Sequence, residues 1–179
     1  MMMERLMTLE EFRKFAADKH AERGYTYDGK PYLVHLEMVA ANVRKYSHLL
    51  TLLPFKVDPV IVEMAAYGHD LIEDCGVTFS DIKKIAGRKV AELILTVSNV
   101  PGEDRIERFL LTSPKIRKNI VAIFLKICDT MANMGSGKMT GNSMFEKYKK
   151  EHVIFRYVYY DKSKIFQEMW DEMEVIANH

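Results

Sequence analysis

The spacing of apolar residues restricts this chain to a helical fold. Apolar side chains recur every three or four residues along nearly the whole sequence, and the β-branched alternation typical of strands is scarce. The clearest apolar stripe is formed by Ile116, Ile120, Ile123, Ile127 and Met131. Hydrophobic residues make up 48% of the 179 residues, which is enough for one buried core. We therefore predict a single all-α domain over 1–179, with about seven or eight helices.

Capping residues, glycines and prolines predict where the helices begin and end. Thr8 and Glu11 form a capping box for a first helix that ends near residue 23. A polar turn leads to a second helix that begins at Pro31, and Asp58 with Pro59 marks the start of a third that continues to residue 75. The glycine-rich stretch 135–142 is predicted to be flexible. The remaining helices are predicted over about 78–87, 89–98, 115–134, 143–160 and 162–178.

Composition excludes several classes of protein. Lys plus Arg number 26 and Asp plus Glu number 25, so the formal charge is +1 and a long nucleic acid is not the expected partner. No apolar run reaches the ~18–20 residues that span a bilayer. Glu4 and Arg5 interrupt the first seven residues, so a signal peptide is not expected either. Only Cys75 and Cys128 are present, without CxxC spacing, which favours a reducing cytoplasm.

The near-zero net charge hides two charged blocks. Residues 51–82 carry six acidic and one basic side chain, a net charge of −5. Residues 113–150 carry eight basic and two acidic side chains, a net charge of +6. Surface variation alone accounts for such a pattern as readily as a functional arrangement does.

The most informative string is His69-Asp70-Leu71-Ile72-Glu73-Asp74. On one continuous helix its four ionisable side chains would share one arc, at about 100° per residue. Three carboxylates on one side of a helix are electrostatically costly unless solvent or a cation neutralises them. A solvated helix end is the alternative interpretation. The H-E-x-x-H zinc-protease motif is excluded, because the second histidine is missing.

Two distant residues favour a metal site over a solvated helix end. His35 follows Pro31 on a helix with an apolar face, and Asp129 stands within the otherwise apolar segment 125–134. A carboxylate in such a segment needs a partner, which a metal ion would supply. With His69 and Asp70 these residues make a mixed nitrogen and oxygen set. Such a set suits Mn²⁺, Fe²⁺ or Mg²⁺ better than a closed structural zinc site.

Three motifs in order resemble the HD-domain metal phosphohydrolases, and among them the RelA/SpoT-type (p)ppGpp hydrolases. The segment Gly29–His35 is similar to the family's G-x-P-Y-x-x-H entry, and His69–Asp74 to its H-D-x-x-E-D helix. Lys126–Asp129 with Asn133-Met134 is similar to its K-[LI]-x-D-x-x-x-N-[ML] helix. The resemblance covers roughly residues 8–160 and implies one HD-type helical bundle.

The resemblance also implies a ligand set. His35, His69, Asp70 and Asp129 are expected to hold one divalent ion, Mn²⁺. Gly68 stands where the family has a bulkier aliphatic residue, which predicts looser packing behind the ligand His69.

The implied reaction removes the 3′-pyrophosphate from ppGpp or pppGpp and yields pyrophosphate with GDP or GTP. Glu73 and Asp74 would position and deprotonate the attacking water. Five residues are expected to contact the nucleotide: Lys126, Asn133, Tyr148, Arg23 and Lys30.

Two other functions remain open at this point. One is an HD phosphohydrolase acting on another nucleotide, such as a 5′-nucleotide, a cyclic nucleotide or an adenosine alarmone. The other is a nucleotide sensor without catalysis, although the presence of all four expected ligands together with Glu73 and Asp74 favours an enzyme. The choice between guanine and adenine and the existence of a homo-oligomer are also open.

Overall fold

The computed structural model describes residues 5–141 and 143–178, and these are almost entirely helical. Two 3-10 helices, Ser47–Leu52 and Lys164–Phe166, follow the second and ninth α-helices. In chain order, helices α1 to α10 cover Leu9–Glu22, Leu33–Tyr46, Pro59–Gly68, Leu71–Cys75, Phe79–Ala86, Arg88–Val97, Arg105–Ile116, Ile120–Thr140, Met144–Ser163 and Gln167–Asn178. The all-α prediction is confirmed. None of the described helices is both long and apolar enough to cross a bilayer.

The predicted polar turn before α2 is a small antiparallel hairpin. Strand β1 is Thr26–Tyr27 and strand β2 is Lys30–Pro31. Asp28 and Gly29, between the strands, have φ values of 49° and 74°. Positive φ at both central residues defines the type I′ turn that suits a two-residue hairpin. The hairpin leads the chain into α2, close to His35.

Helices α2, α3 and α8 form the centre of the bundle. Each packs against the other two, while α1 and α6 cover α3, and α9 and α10 pack on α8. Helix α3 is apolar over most of its circumference, which suits a helix with neighbours on several sides. The fully buried side chains of these three helices include Leu36, Val39, Val62, Ala65, Ile123, Phe124 and Ile127. The three sequence motifs therefore lie on, or next to, helices that contact one another.

The third predicted helix is interrupted, so the expectation of one continuous helix through residue 75 is wrong. Helix α3 ends at Gly68 and α4 begins at Leu71. The Nδ1 of His69 hydrogen-bonds to the carbonyl oxygen of Ala66, at 2.7 Å. In a continuous helix that oxygen would accept from the backbone N–H of Asp70. The imidazole thus competes with the helical hydrogen-bond ladder at the break.

The predicted boundaries between residues 101 and 142 are also wrong in part. Helix α7 precedes the predicted start at residue 115, and Pro114 lies inside its last turn instead of opening the next helix. The α8 start is set by Asn119, whose side chain accepts from two backbone N–H groups. The glycine-rich stretch is helical through Thr140. There Gly137 lets the backbone of Phe145 approach, since a Cβ would lie 3.3 Å from its Cα.

Three parts of the chain lie outside the described residues: 1–4, 142 and 179. They include Glu4, which entered the argument against a signal peptide, and Asn142, the end of the glycine-rich stretch.

Gly68 does not loosen the packing behind His69, contrary to the expectation from sequence. A Cβ at this position would lie 2.5 Å from Cδ1 of Ile94 and 2.9 Å from Cε1 of Phe12. Both of these side chains are fully buried. The glycine is therefore required by close packing of α3 against α6 and α1.

We expect Gly68→Ala to lower the free energy of unfolding by about 1–3 kcal/mol, because the added methyl group overpacks a closed core. Urea denaturation followed by circular dichroism measures the change. Gly135→Ala is the matched control: a Cβ there meets no atom within 4 Å. We expect that control to gain about 0.5–1 kcal/mol from the helix propensity of alanine. An unchanged or higher stability for Gly68→Ala would contradict the packing argument.

Candidate active site

Four side chains from three parts of the bundle converge on one point. His35 comes from the first turn of α2, His69 and Asp70 from the break after α3, and Asp129 from the middle of α8. The Nε2 of His35 lies 3.3 Å from Nε2 of His69, 3.4 Å from Oδ1 of Asp129 and 3.8 Å from Oδ2 of Asp70. The Nε2 of His69 lies 2.9 Å from Oδ2 of Asp70 and 3.7 Å from Oδ1 of Asp129.

These separations match the ligand sphere of a single metal ion. Ligands about 2.1 Å from one ion lie roughly 3.0–3.4 Å apart in octahedral or tetrahedral geometry. Ligand atoms of His35, His69 and Asp129 all fall within 4.8 Å of one another. Asp70 adds a second carboxylate on the side of the two imidazoles. The mixed nitrogen and oxygen set fits a divalent ion of the Mn²⁺, Fe²⁺ or Mg²⁺ type.

The imidazoles are held in a form that can bind a metal. A carbonyl oxygen only accepts hydrogen bonds, so Nδ1 of His69 must carry the proton that it shares with Ala66. Its Nε2 is therefore the nitrogen that faces the cluster. His35 and His69 are both buried, and Nδ1 of His35 has no hydrogen-bond partner among the described residues. Buried imidazoles that present one nitrogen to a shared point are common metal ligands.

The centre holds two ionised carboxylates. Burial raises the pKa of Asp70, but His69 beside it outweighs burial and holds that pKa well below its usual range. For Asp129, Lys126 and the two imidazoles outweigh burial in the same direction. Burial lowers the pKa of His69, but the charges of Asp70 and Asp129 raise it to about 9. Both carboxylates are thus ionised at neutral pH, and they attract a cation.

Neighbouring side chains fix the orientation of both carboxylates. The hydroxyl of Tyr32 donates to Oδ2 of Asp70 at 2.6 Å. The ring of Tyr32 is stacked on the buried ring of His20, with centroids 4.4 Å apart. On the other side, Lys126 contacts Oδ2 of Asp129 at 3.0 Å and Asn133 donates to its Oδ1 at 2.9 Å. Such outer partners orient metal ligands and raise metal affinity.

Glu73 and Asp74 on α4 border the same centre in different environments. Burial, reinforced by the negative charges of Asp70 and Glu73, raises the pKa of Asp74 to about 6. Glu73 is exposed, and its two carboxylate oxygens accept hydrogen bonds from Asn99. One carboxylate is therefore suited to gain and lose a proton near neutrality, and the other is held in place.

A cavity of about 380 Å³ opens over the four converging side chains. This volume lies within the range of small-molecule sites. His35, Asp70 and Asp129 form part of its wall together with Glu73 and Asp74. Its other lining residues include Tyr27, Tyr32, Asn99, Arg105, Arg108, Phe109, Lys126, Thr130, Asn133, Tyr148, Glu151 and Phe155.

The residues predicted to contact the nucleotide fall into two groups. Lys126, Asn133 and Tyr148 line the cavity, although the first two also hold Asp129. Arg23 and Lys30 are not among the lining residues. The guanidinium of Arg23 contacts the carbonyl oxygen of Cys75 at 3.3 Å, and Lys30 is exposed in β2. A contact between either residue and a nucleotide stays a prediction.

Sequence reasoning missed the cationic wall of the cavity. Arg105 and Arg108 are separated by one turn of α7, and both line the cavity. Arg105 forms two hydrogen bonds with Glu151 on α9, of 3.0 and 2.9 Å, and lies over the ring of Tyr148. The i, i+3 spacing of the two arginines was the available signal. With Pro114 taken as the start of a helix, neither arginine lies in a predicted helix, so their spacing carried no meaning.

The curated proteins similar in sequence are much longer than this chain. The bifunctional (p)ppGpp synthase/hydrolase SpoT of Escherichia coli strain K12 is 30% identical over 124 residues, which are 65% of this chain and 16% of that protein. The guanosine-3′,5′-bis(diphosphate) 3′-pyrophosphohydrolase of Vibrio cholerae is 29% identical over 130 residues, 68% of this chain and 17% of that protein. The chain thus spans about one sixth of their length. No protein-family model matches the chain.

A solved structure extends the likeness to nearly the whole chain. It is that of a metazoan ortholog of SpoT, which its title describes as hydrolysing ppGpp and acting in starvation responses. It matches with a TM-score of 0.66 and 22% identity over 92% of this chain and 94% of the other. The chain is thus similar to RelA/SpoT-type (p)ppGpp hydrolases, in sequence over about two thirds of its length and in fold over nearly all of it. The resemblance inferred from the three motifs is therefore confirmed. The match in structure shows that the chain has the same helical-bundle fold as this ortholog of SpoT.

We expect Tyr32→Phe to weaken Mn²⁺ binding by about 10- to 100-fold, because Asp70 loses the hydroxyl that orients it. Isothermal titration calorimetry measures the dissociation constant. The matched control is Tyr159→Phe, which removes the hydroxyl of another buried tyrosine, bonded to Ser113 away from the cluster. Equal affinities for Tyr32→Phe and the unmodified protein would show that Asp70 needs no such support.

Proposed function

We propose that this RelA/SpoT relative is a metal-dependent hydrolase that removes the 3′-pyrophosphate from ppGpp or pppGpp. The observation that carries the proposal is the convergence of His35, His69, Asp70 and Asp129 beneath one cavity that also has a cationic wall. The similar proteins are named for the synthesis or hydrolysis of (p)ppGpp, which supports the choice of substrate. The two free, buried cysteines support a place in the reducing cytoplasm.

The four converging side chains would hold the divalent ion, which we propose to be Mn²⁺. When bound, such an ion polarises a phosphoryl oxygen and lowers the pKa of adjacent water. Asp70 and Asp129 are ionised and ready for the ion, whereas His69, with its pKa raised to about 9, releases the proton of Nε2 when the ion binds.

Asp74 and Glu73 supply the proton chemistry of the proposed reaction. Asp74, with its pKa raised to about 6, accepts the proton of the attacking water near neutral pH. Glu73 positions that water by accepting a hydrogen bond from it through its carboxylate. The water oxygen bonds to the phosphorus next to the 3′ oxygen, the bond between that phosphorus and the 3′ oxygen breaks, and the 3′ oxygen takes the proton that Asp74 accepted. The products are pyrophosphate and GDP or GTP.

The remaining lining residues suit a nucleotide. Lys126, Arg105 and Arg108 place three cations around the cavity for the phosphates. Tyr148 is half-buried beside Arg105 and offers its ring to the base. Asn133 accepts a hydrogen bond from the hydroxyl of Tyr27 and donates one to Asp129. It thus connects the wall of the cavity to one of the proposed metal ligands.

We expect the protein with Mn²⁺ to release pyrophosphate and GDP from ppGpp, and we expect a chelator to abolish the release. Ion-exchange chromatography of the products measures both. Asp70→Asn should lower kcat/KM by more than about 100-fold, because a metal ligand loses its charge. Asp18→Asn, an exposed carboxylate of α1 paired with Lys14, is the control and should retain full activity. Hydrolysis of a 5′-nucleotide, a cyclic nucleotide or an adenosine alarmone, with none of ppGpp, would contradict the substrate assignment.

We expect Asp74→Asn to lower kcat by about 10²- to 10⁴-fold, since an amide cannot accept the proton from water. The dissociation constant for Mn²⁺ should change by less than about threefold, because Asp74 is not one of the four ligands. Single-turnover assays and calorimetry measure the two quantities. Loss of metal binding together with activity would instead make Asp74 part of the ligand sphere, and unchanged kcat would remove it from the reaction.

A further inference from the structure

Glu73 is exposed but is held by two hydrogen bonds from one residue. The backbone N–H of Asn99 donates to Oε1 of Glu73 at 2.7 Å, and its side-chain Nδ2 donates to Oε2 at 2.9 Å. An exposed glutamate normally samples several rotamers, and fixing it has an entropic cost. Two donors on the two oxygens determine both the position and the plane of the carboxylate.

Asn99 is itself held by residues on either side of it. The ammonium of Lys115 contacts the carbonyl oxygens of Ser98, at 2.5 Å, and Leu95, at 2.9 Å. The backbone N–H of Val100 donates to the hydroxyl of Thr112 at 2.8 Å, and Thr112 is buried. The segment 98–100 is thus attached to α7 on both sides of Asn99, although it belongs to the connection between α6 and α7.

Helix α7 also carries the cationic wall of the cavity. Arg105 and Arg108 occupy its first turn, while Thr112 and Lys115 lie one to two turns further along the same helix. One rigid element therefore determines both where the phosphates of a nucleotide would be held and where the carboxylate of Glu73 is held.

We propose that Asn99 is the positioning residue of Glu73, and that α7 sets the place of Asn99 through Lys115 and Thr112. The inference deepens the proposed function and rests on it for the role of Glu73 in hydrolysis. Asn99 acts through Glu73, so its loss changes kcat and leaves KM and metal affinity nearly unchanged.

A double-mutant cycle tests the proposal. Asn99→Ala keeps the backbone donor and removes the side-chain donor, and should lower kcat about tenfold, with KM and the Mn²⁺ dissociation constant within about threefold. In a Glu73→Gln background the same substitution should cause no further loss. Asn99→Asp, of equal size, places a second carboxylate against Glu73 and should lower kcat more than Asn99→Ala. Thr96→Ala in α6, whose hydroxyl donates to the backbone carbonyl oxygen of Glu92, should leave kcat unchanged.

A spectroscopic measurement keeps the contact testable without activity. In ¹H–¹⁵N spectra the side-chain amide of Asn99 should shift on Glu73→Gln and should not shift on Thr96→Ala. An unchanged Asn99 amide, or losses of kcat that are additive in the cycle, would overturn the positioning role. An intact shift in a protein that hydrolyses no nucleotide would instead overturn the proposed function, while supporting Asn99 as the residue that holds Glu73.

Discussion

The charge of two largely buried carboxylates is the constraint on which the rest of the structure depends. Asp70 and Asp129 remain ionised in the middle of a helical bundle because imidazoles, an ammonium and hydrogen-bond donors surround them. Removal of such charges from water costs several kcal/mol unless they are paired. A divalent cation would complete this pairing. The break after α3, the stacked Tyr32 and the half-buried Lys126 all bring charges or hydrogen-bond donors to these carboxylates.

In the proposed site, different parts of the bundle carry the groups for a metal ion and the groups for an anion. The four converging side chains come from α2, α8 and the break after α3, where packing is tight enough that Gly68 has no room for a methyl group. The cationic wall comes from the peripheral helix α7 and is paired with Glu151 of α9. In the proposed site, α2 and α8 would hold the groups whose geometry must be most exact, and the outer helix α7 would carry arginines that contact the substrate.

Most of the converging side chains could be predicted from the sequence, whereas the arginines of the cavity wall could not. His69 and Asp129 stand in strings whose charge is unusual for their apolar surroundings, so their chemistry is visible without coordinates. The break at His69 was missed because it depends on one side-chain hydrogen bond to Ala66, which leaves no trace in apolar periodicity. Asn99 had no local signal at all, because its partner Glu73 lies 26 residues away in the chain. Long-range pairing of polar groups is decided by tertiary packing, which short-range patterns do not describe.

The helical origin of the ligands has a consequence for how this sequence tolerates insertions and deletions. One residue added inside α8 before Asp129 would rotate that carboxylate by about 100° and move it by about 1.5 Å along the axis, away from both imidazoles. The same addition in the connection 101–104, before α7, would be absorbed by the loop and leave the ligand register intact. Length changes should therefore accumulate in the connections between helices during divergence, while the spacing within α2, α3 and α8 is kept residue for residue.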